Sequence, residues 1–452
     1  MIANNIYKEI KKRHLIAHLV YLFDILIFTL FCQTYIIILI LNKVKIKLAE
    51  LINRFNFASM NYTSSNGQQF SPIENRILEC LVGAGAIPVS EIASKSGLSI
   101  PCATKYLSSL CSRSLARRAG QTENERGRRA ALYEINSTAA YFVGVDPKQT
   151  HISLALMDLG GNIVSEKDIS HTFINSPETL ETICSGVEEF IAENSGKVAG
   201  ISVNVSGRVN PKTGNSYSIF NFEDRDEPLS KVFSDRFGIP TCIDNDTRAM
   251  ALAELSLGEG RRFKNFLFIN AGWGIGMVII IDGKIHSGAG GYSGEFGHTN
   301  VFDNGKMCHC GKKGCLETEV SGKALCEQMH ERLASGDSSY LSSLKNITER
   351  DIVEAALTGE DPLSIELLEH AGYLLGKQIA NLINIFNPEA VIIGGSLSEA
   401  GDYFLQPIIQ AVRRFALKLM YKDTSILPSR LGNRAGVLGA CLSARINGKD
   451  RL

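Results

Sequence analysis

Net charge is what this sequence has least of. Lysine plus arginine and aspartate plus glutamate both number 47 in 452 residues, a formal charge of zero. No partner is recruited by overall charge, so any nucleic-acid surface must be a local patch. Eleven cysteines show no regular disulfide spacing. That absence excludes a secreted disulfide scaffold and fits a reducing compartment, so a cytoplasmic location is expected. Hydrophobic residues make up 44% of the chain, ample for large cores, and the length suits about three domains.

One long apolar run, residues 19–41, has the length to span a bilayer and is flanked by lysines and Arg13. Three readings of residues 1–59 compete. A membrane anchor would place Asp24 and Gln33 in lipid at a cost. An uncleaved signal lacks a clear small-residue cleavage site. The third is a false start, translated from upstream of the true one. The Ile, Leu, Lys, Asn, Phe and Tyr bias favours this last reading, with Met60 opening a polar lead-in.

Residues 60–135 read as a DNA-binding module. Ile73, Ile77, Leu78 and Leu81 share a helical face, and Gly83-Ala84-Gly85 breaks it. A short helix over 89–96 ends at Gly97. Ser99 caps a third helix, with Pro101 in its first turn. On that helix Ile100, Ala103, Leu107 and Leu110 are expected inward, leaving Pro101, Cys102, Thr104 and Lys105 facing out. This is a helix-turn-helix, whose second helix meets the major groove. A two-stranded wing follows, with Arg113, Arg117 and Arg118 on one side and Arg126, Arg128 and Arg129 on the other. A solvated three-helix domain used for protein contacts is the alternative.

From residue 136 to 452 a pattern repeats. Residues 141–169 and 266–285 each read as three strands with two turns, and each run is followed by strand and helix patterns. Two related α/β lobes with a cleft between them are expected, about 136–257 and 258–385, with 386–452 completing the fold.

The densest chemistry lies in residues 291–322. His298, Cys308, Cys310 and Cys315 form a C-x-C and C-x4-C knuckle around Gly311 and Gly314. Four such ligands suit a structural zinc with no open position. A Cys308–Cys310 disulfide would violate normal geometry, though free thiols stay open. Asn245 and Asp246 follow a strand and open a helix, where either residue also serves as a cap.

Gly-Glu295-Phe-Gly-His298 followed by Cys308-His-Cys310-Gly-Lys-Lys-Gly-Cys315-Leu-Glu317 resembles the ROK family of repressors and sugar kinases. The resemblance covers roughly 141–445. It implies an N-terminal winged helix-turn-helix followed by a two-lobed, actin-like (ribonuclease-H-like) sugar-kinase-type domain. It further implies a zinc on His298 and the cysteines, and sugar hydroxyls on Asn245, Asp246, Glu295, His298 and Glu317. In a kinase, Asp246 would be the catalytic base. Gly127-Arg128-Arg129 matches the repressor branch, with Ala130 where that branch has proline.

Departures from the kinases fall on the phosphate side. Their D-x-G-G-T hairpin is Asp146-Pro147-Lys148-Gln149-Thr150 here, and their G-T-G-x-G-G loop is Gly272-Trp273-Gly274-Ile275-Gly276-Met277. Pro147 has no N–H to donate, and the cradle glycines are gone. Ile393-Gly394-Gly395-Ser396, on the adenosine side, is kept. In the sugar loop Asn204-Val205-Ser206-Gly207, Ser206 replaces a proline. The expectation is a sugar-responsive repressor that binds operator DNA and a sugar or sugar phosphate, as a homodimer or dimer of dimers, with ATP binding not expected. An ATP-dependent sugar kinase with a DNA-binding appendage is the alternative, and a membrane partner enters only if residues 1–59 are native.

Overall fold

The computed structural model describes residues 71–122, 130–194, 196–220 and 227–448. The apolar run, the lead-in up to residue 70, and Arg126, Arg128 and Arg129 lie outside the described residues.

The first module is small and locally encoded. Ser71 and Glu74 form a reciprocal capping box that starts α1 (Pro72–Leu81). A short strand β1 (Ile87–Pro88) leads into α2 (Val89–Ser96), which stops at Gly97 in the left-handed conformation, φ 66°. The Ser99 hydroxyl accepts from the Cys102 N–H and starts α3 (Ile100–Ser112). Strands β2 (Ala116–Gln121) and β3 (Ala131–Ile135) pair antiparallel, and β1 adds to the free edge of β3. Ala103, Leu107 and Leu110 are fully buried, as the spacing predicts. Ile100 is not, being 51% exposed. It is the first helical residue, and its side chain leans back past the helix start, beyond the core.

The next lobe is one mixed sheet. Strands β4 (Tyr141–Pro147), β5 (His151–Asp158) and β6 (Ile163–Ser170) form an antiparallel meander. Helix α4 (Pro177–Glu193) crosses to β7 (Val198–Val205), parallel to β4. A short hairpin β8 (Val209–Asn210) and β9 (Asn215–Ser216) and helix α5 (Leu229–Phe237) lead to β10 (Thr241–Asn245), parallel to β7. The order is β10-β7-β4-β5-β6.

Helix α6 (Asp246–Ser256) leads into a second sheet with the same plan. Strands β11 (Phe266–Ala271), β12 (Ile275–Ile281) and β13 (Lys284–His286) are again an antiparallel meander. The knuckle follows, then α7 (Glu317–Val320), α8 (Gly322–Ala334), α9 (Glu349–Leu357) and α10 (Pro362–Phe386). Strand β14 (Ala390–Gly394) pairs parallel with β11. After α11 (Asp402–Phe415) and α12 (Lys418–Asp423), β15 (Ser425–Pro428) pairs parallel with β14. The order β13-β12-β11-β14-β15 repeats the first sheet strand for strand. The parallel strands are apolar on both faces, as Ala390 to Ile393 show, because helices cover both sides.

The last helix, α13 (Ala435–Gly448), returns to the first sheet. A Cβ on Gly144 would stand 2.6 Å from the Cys441 nitrogen and the Val437 carbonyl oxygen, so β4 and α13 touch backbone to backbone. Gly439 does the same against the Ala249 carbonyl of α6. At the far end of α13, Ala444 joins a core with Ala140, Phe142, Leu159 and Ala199 of the first sheet and Ile77, Leu78, Leu81, Leu107 and Leu110 of the helical module. The module and the first lobe therefore share one hydrophobic core.

Candidate functional site

The site begins where β10 becomes α6. Asn245 is the cap: its Oδ1 accepts from the Arg248 N–H at 3.0 Å, while its Nδ2 donates to the Gly207 carbonyl at 2.9 Å and to Asp246 Oδ1 at 3.0 Å. The Thr247 N–H donates to Asp246 Oδ1 at 2.6 Å, and the Ser206 hydroxyl donates to Asp246 Oδ2 at 2.8 Å. Burial pushes the Asp246 carboxyl above its usual range, and the Ser206 and Thr247 donors work the other way. Asn245 thus caps the helix, and Asp246 in its first turn is held by Asn245, Thr247 and Ser206.

The knuckle forms the other wall. His298 Nδ1 lies 3.5 Å from Cys308 Sγ, and Cys310 Sγ lies 3.6 Å from Cys315 Sγ. The donor atoms of all four residues lie within 4.8 Å of one another. A zinc tetrahedron with bonds of about 2.3 Å has edges of about 3.8 Å, so the donor set fits that ion. Burial pushes the Cys308 thiol up to about 12, and a divalent cation would reverse this by holding the thiolate. Gly311 and Gly314 take φ 85° and 70°, and Gly314 also packs against the Phe302 carbonyl, leaving no room for a side chain.

Glu317 and Glu295 sit beside the knuckle. Glu317 Oε2 accepts from the Ile275 N–H at 3.0 Å, and its Oε1 lies 3.1 Å from His309 Nδ1. Burial works against its charge, but His309 and the Ile275 amide outweigh burial and hold the carboxyl below its usual range. Glu295 Oε2 lies 3.8 Å from His298 Nε2, the ring nitrogen not facing Cys308. His309 escaped the sequence reading. Its position inside the C-x-C was the available signal, and its pairing with Glu317 follows only from the fold.

Strand β12 joins the two walls. Thr247 packs against Gly276, where a side chain would collide with it, and takes a hydrogen bond from Asn270 Nδ2 at 3.0 Å. One residue earlier, the Ile275 amide holds Glu317. Gly274 leaves room for the same carboxylate, since a Cβ there would stand 2.8 Å from Glu317 Oε2. Gly274 and Gly276 are therefore explained by packing against Glu317 and Thr247.

The hairpin between β4 and β5 is built differently. The Lys148 N–H closes a tight turn onto the His151 carbonyl at 2.8 Å. Its ammonium folds back to the Asn433 carbonyl at 2.6 Å and lies 3.7 Å from Asp146 Oδ2. Asp146 is buried, takes the Asn204 amide at 2.8 Å and abuts Gly436. Trp273 is 40% exposed at the tip of the second loop. Gly395, at φ 88°, touches the Ala271 carbonyl, so its retention needs no nucleotide.

In the first module, Pro101, Thr104 and Lys105 are exposed at the start of α3 and Cys102 is half-buried. Arg113 turns inward, 3.8 Å from Glu74, and Arg117 pairs with Glu134 at 2.7 Å. Arg118 is exposed on β2.

Two sheets of identical strand order, flanking a carboxylate at an interlobe helix start, define a two-lobed, actin-like domain of the sugar-kinase type, here preceded by a helical module. The chain belongs to the ROK family, whose model matches residues 142–446. It is 30% identical over 335 residues to the xylose repressor of Caldicellulosiruptor bescii, covering 73% of this chain and 84% of that one. It is 33% identical to the glucokinase of Halalkalibacterium halodurans, covering 66% of this chain and 93% of the enzyme. The crystal structure of a ROK family transcriptional regulator, a homologue of the E. coli MLC protein, superposes with a TM-score of 0.71 at 30% identity, covering 83% of this chain and 96% of that one. Among the described residues no helix is long and apolar enough to cross a membrane.

Proposed function

We propose that this protein is a sugar-responsive, DNA-binding transcriptional repressor. The observation that carries the reading is the shared core between the N-terminal helical module and a kinase-type domain with an altered phosphate side. In this reading the module is a winged helix-turn-helix. Pro101, Cys102, Thr104 and Lys105 face the major groove, and Arg126, Arg128 and Arg129 reach phosphate or the minor groove.

Asn245, Asp246, Glu295, His298 and Glu317 hold the hydroxyls of a sugar or sugar phosphate. His298, Cys308, Cys310 and Cys315 hold one zinc, which supplies structural cross-linking of the knuckle that carries Glu295 and Glu317. His298 serves both, one ring nitrogen facing the cysteines and the other Glu295. The protein works in the cytoplasm as a homodimer or dimer of dimers, because paired heads match paired half-sites. Sugar binding changes the angle between lobes or subunits and so the spacing of the heads.

The second reading, an ATP-dependent sugar kinase, is favoured by Asp246 and by the likeness to a glucokinase. Against it stand Pro147, which lacks a donor, and Lys148, which replaces a cradle glycine and whose ammonium is held at the Asn433 carbonyl. A thermal-shift screen of sugars, amino sugars and their phosphates, with and without ATP, tests the choice. Stabilisation independent of ATP supports the repressor, and sugar-dependent ATP turnover supports the kinase.

A further inference from the structure

Asp246 meets this chain's own donors before any ligand arrives. Its Oδ1 accepts from the Thr247 N–H at 2.6 Å, the Thr247 hydroxyl at 3.2 Å and Asn245 Nδ2 at 3.0 Å, and its Oδ2 accepts from Ser206 at 2.8 Å. The Thr247 hydroxyl is itself turned toward Asp246, because its oxygen takes the Asn270 amide at 3.0 Å. A carboxylate offers about four lone-pair sites, so most of its capacity is in use. Each donor favours the ionised form and makes the group a poorer base.

Ser206 is the donor that its position does not require. It stands in the loop after β7, where the kinase-like pattern has a proline, and proline carries no hydroxyl. The loop is pinned to the helix start by the Gly207 carbonyl, which accepts from Asn245 Nδ2 at 2.9 Å. Ser206 is exposed, so its hydroxyl gives its proton to Asp246 while its lone pairs are open to solvent. A hydroxyl so placed accepts from a ligand hydroxyl and passes the polarity on to a fixed carboxylate.

We propose that Ser206 is a specificity-determining residue, which holds Asp246 as an ionised acceptor and accepts a ligand hydroxyl itself. The sugar is then read by the Ser206–Asp246 couple and keeps its proton. This deepens the sugar-responsive reading and rests on it. The other charged groups around the couple are Asp146 on β4 with Lys148 beside it, and Asp244 on β10 with Arg248 on α6, 3.0 Å apart.

The test uses the full chain labelled with carbon-13 at aspartate carboxyls, the Asp246 signal being assigned through Asp246→Asn. In Ser206→Ala the Asp246 signal titrates at higher pH than in the parent. Ser206→Thr, which keeps the hydroxyl, restores the parent profile. Calorimetric titration with D-glucose and D-xylose supplies the second arm. Whichever sugar binds the parent binds Ser206→Ala and Ser206→Pro about 10-fold more weakly, as loss of a hydrogen bond to a charged group does. It binds Ser206→Thr nearly as well as the parent. An Asp246 titration identical in the parent and Ser206→Ala overturns the proposal, and so does unchanged affinity in both Ser206→Ala and Ser206→Pro. Failure of both sugars to bind the parent counts against the sugar reading itself, and the carboxyl titration still decides the role of Ser206.

Discussion

Arg445, near the end of the last helix, donates from Nη2 to Glu79 Oε2 at 3.3 Å, joining α13 to the first helix of the N-terminal module. The arginine is buried, at 7% exposure, and its Nε has no hydrogen-bond partner among the described residues. The same helix touches α6 at Gly439 and Ala249. The helix that bears Asp246 is thereby one packed contact away from the helix that meets the N-terminal module.

Removing one partner of this bridge costs more than removing both. Glu79→Ala leaves a buried guanidinium unopposed and lowers stability by about 1–3 kcal/mol. Adding Arg445→Met recovers part of that loss, because the desolvated charge is gone. Urea unfolding of both single variants and the double variant measures the coupling, and strictly additive losses would mean the bridge contributes nothing.

Gly439→Ala places a methyl group against the Ala249 carbonyl, and neither helix backbone can yield cheaply. Destabilisation of about 1–3 kcal/mol or more is expected, as overpacking in a well-filled core costs. Gly432→Ala is the control for a glycine in open surroundings, since among the described residues a Cβ there would meet only Glu399 Oε1, at 3.9 Å. Its φ of 53° limits its cost to local strain, about 1 kcal/mol. Thermal melts of the two variants give the comparison.

Elemental analysis should find about one zinc per chain, as one four-ligand site implies. Cys310→Ser should lose the metal, loosen the loop that carries Glu295 and Glu317, and weaken sugar binding. Metal-free protein with undiminished sugar binding would refute a structural role for the ion.

On DNA, Lys105→Ala should relax sequence preference, because Lys105 is exposed on the outer face of α3. Arg128→Ala should weaken all sites evenly and lower the salt slope by about 1. Fluorescence anisotropy against operator and scrambled duplexes at several salt concentrations separates the two effects.

Asp246→Asn reports on catalysis and on pH together. No ATP-dependent phosphorylation of hexoses, pentoses or N-acetylamino sugars is expected from the parent, so the variant has no turnover to lose. Parent turnover on the order of 1 per second would overturn this. Burial raises the folded-state pKa above the ordinary aspartate value of 3.8, and the Ser206 and Thr247 donors only partly offset it. The native state therefore binds more protons than the unfolded state across the window above pH 3.8, and this group's contribution to stability falls as pH rises. Asparagine lacks that titration. The melting temperature of Asp246→Asn relative to the parent should climb with pH through the window, and a flat difference would contradict the raised pKa.

What the sequence determined by itself is what neighbours in the chain decide. The Ser99 cap, the Gly97 stop, the two three-strand runs and the spacing of His298, Cys308, Cys310 and Cys315 are local signals, and each was legible because the chemistry closes within a few residues or one loop. The departures at Pro147, Lys148 and Trp273 were legible for the same reason. What only the tertiary structure decided involves partners far apart in the chain. Periodicity turned Ile100 inward, yet the module's core ends one turn short of it. Ser206 was a missing proline until β7 and α6 met, and then it became a donor to Asp246. His309 gained its partner when α7 set Glu317 on the amide of Ile275. Arg445 met Glu79 only because α13 returns across the first sheet. Hydrogen bonds and steric contacts act over a few ångströms, so contacts between distant segments exist only once the backbone has brought those segments together.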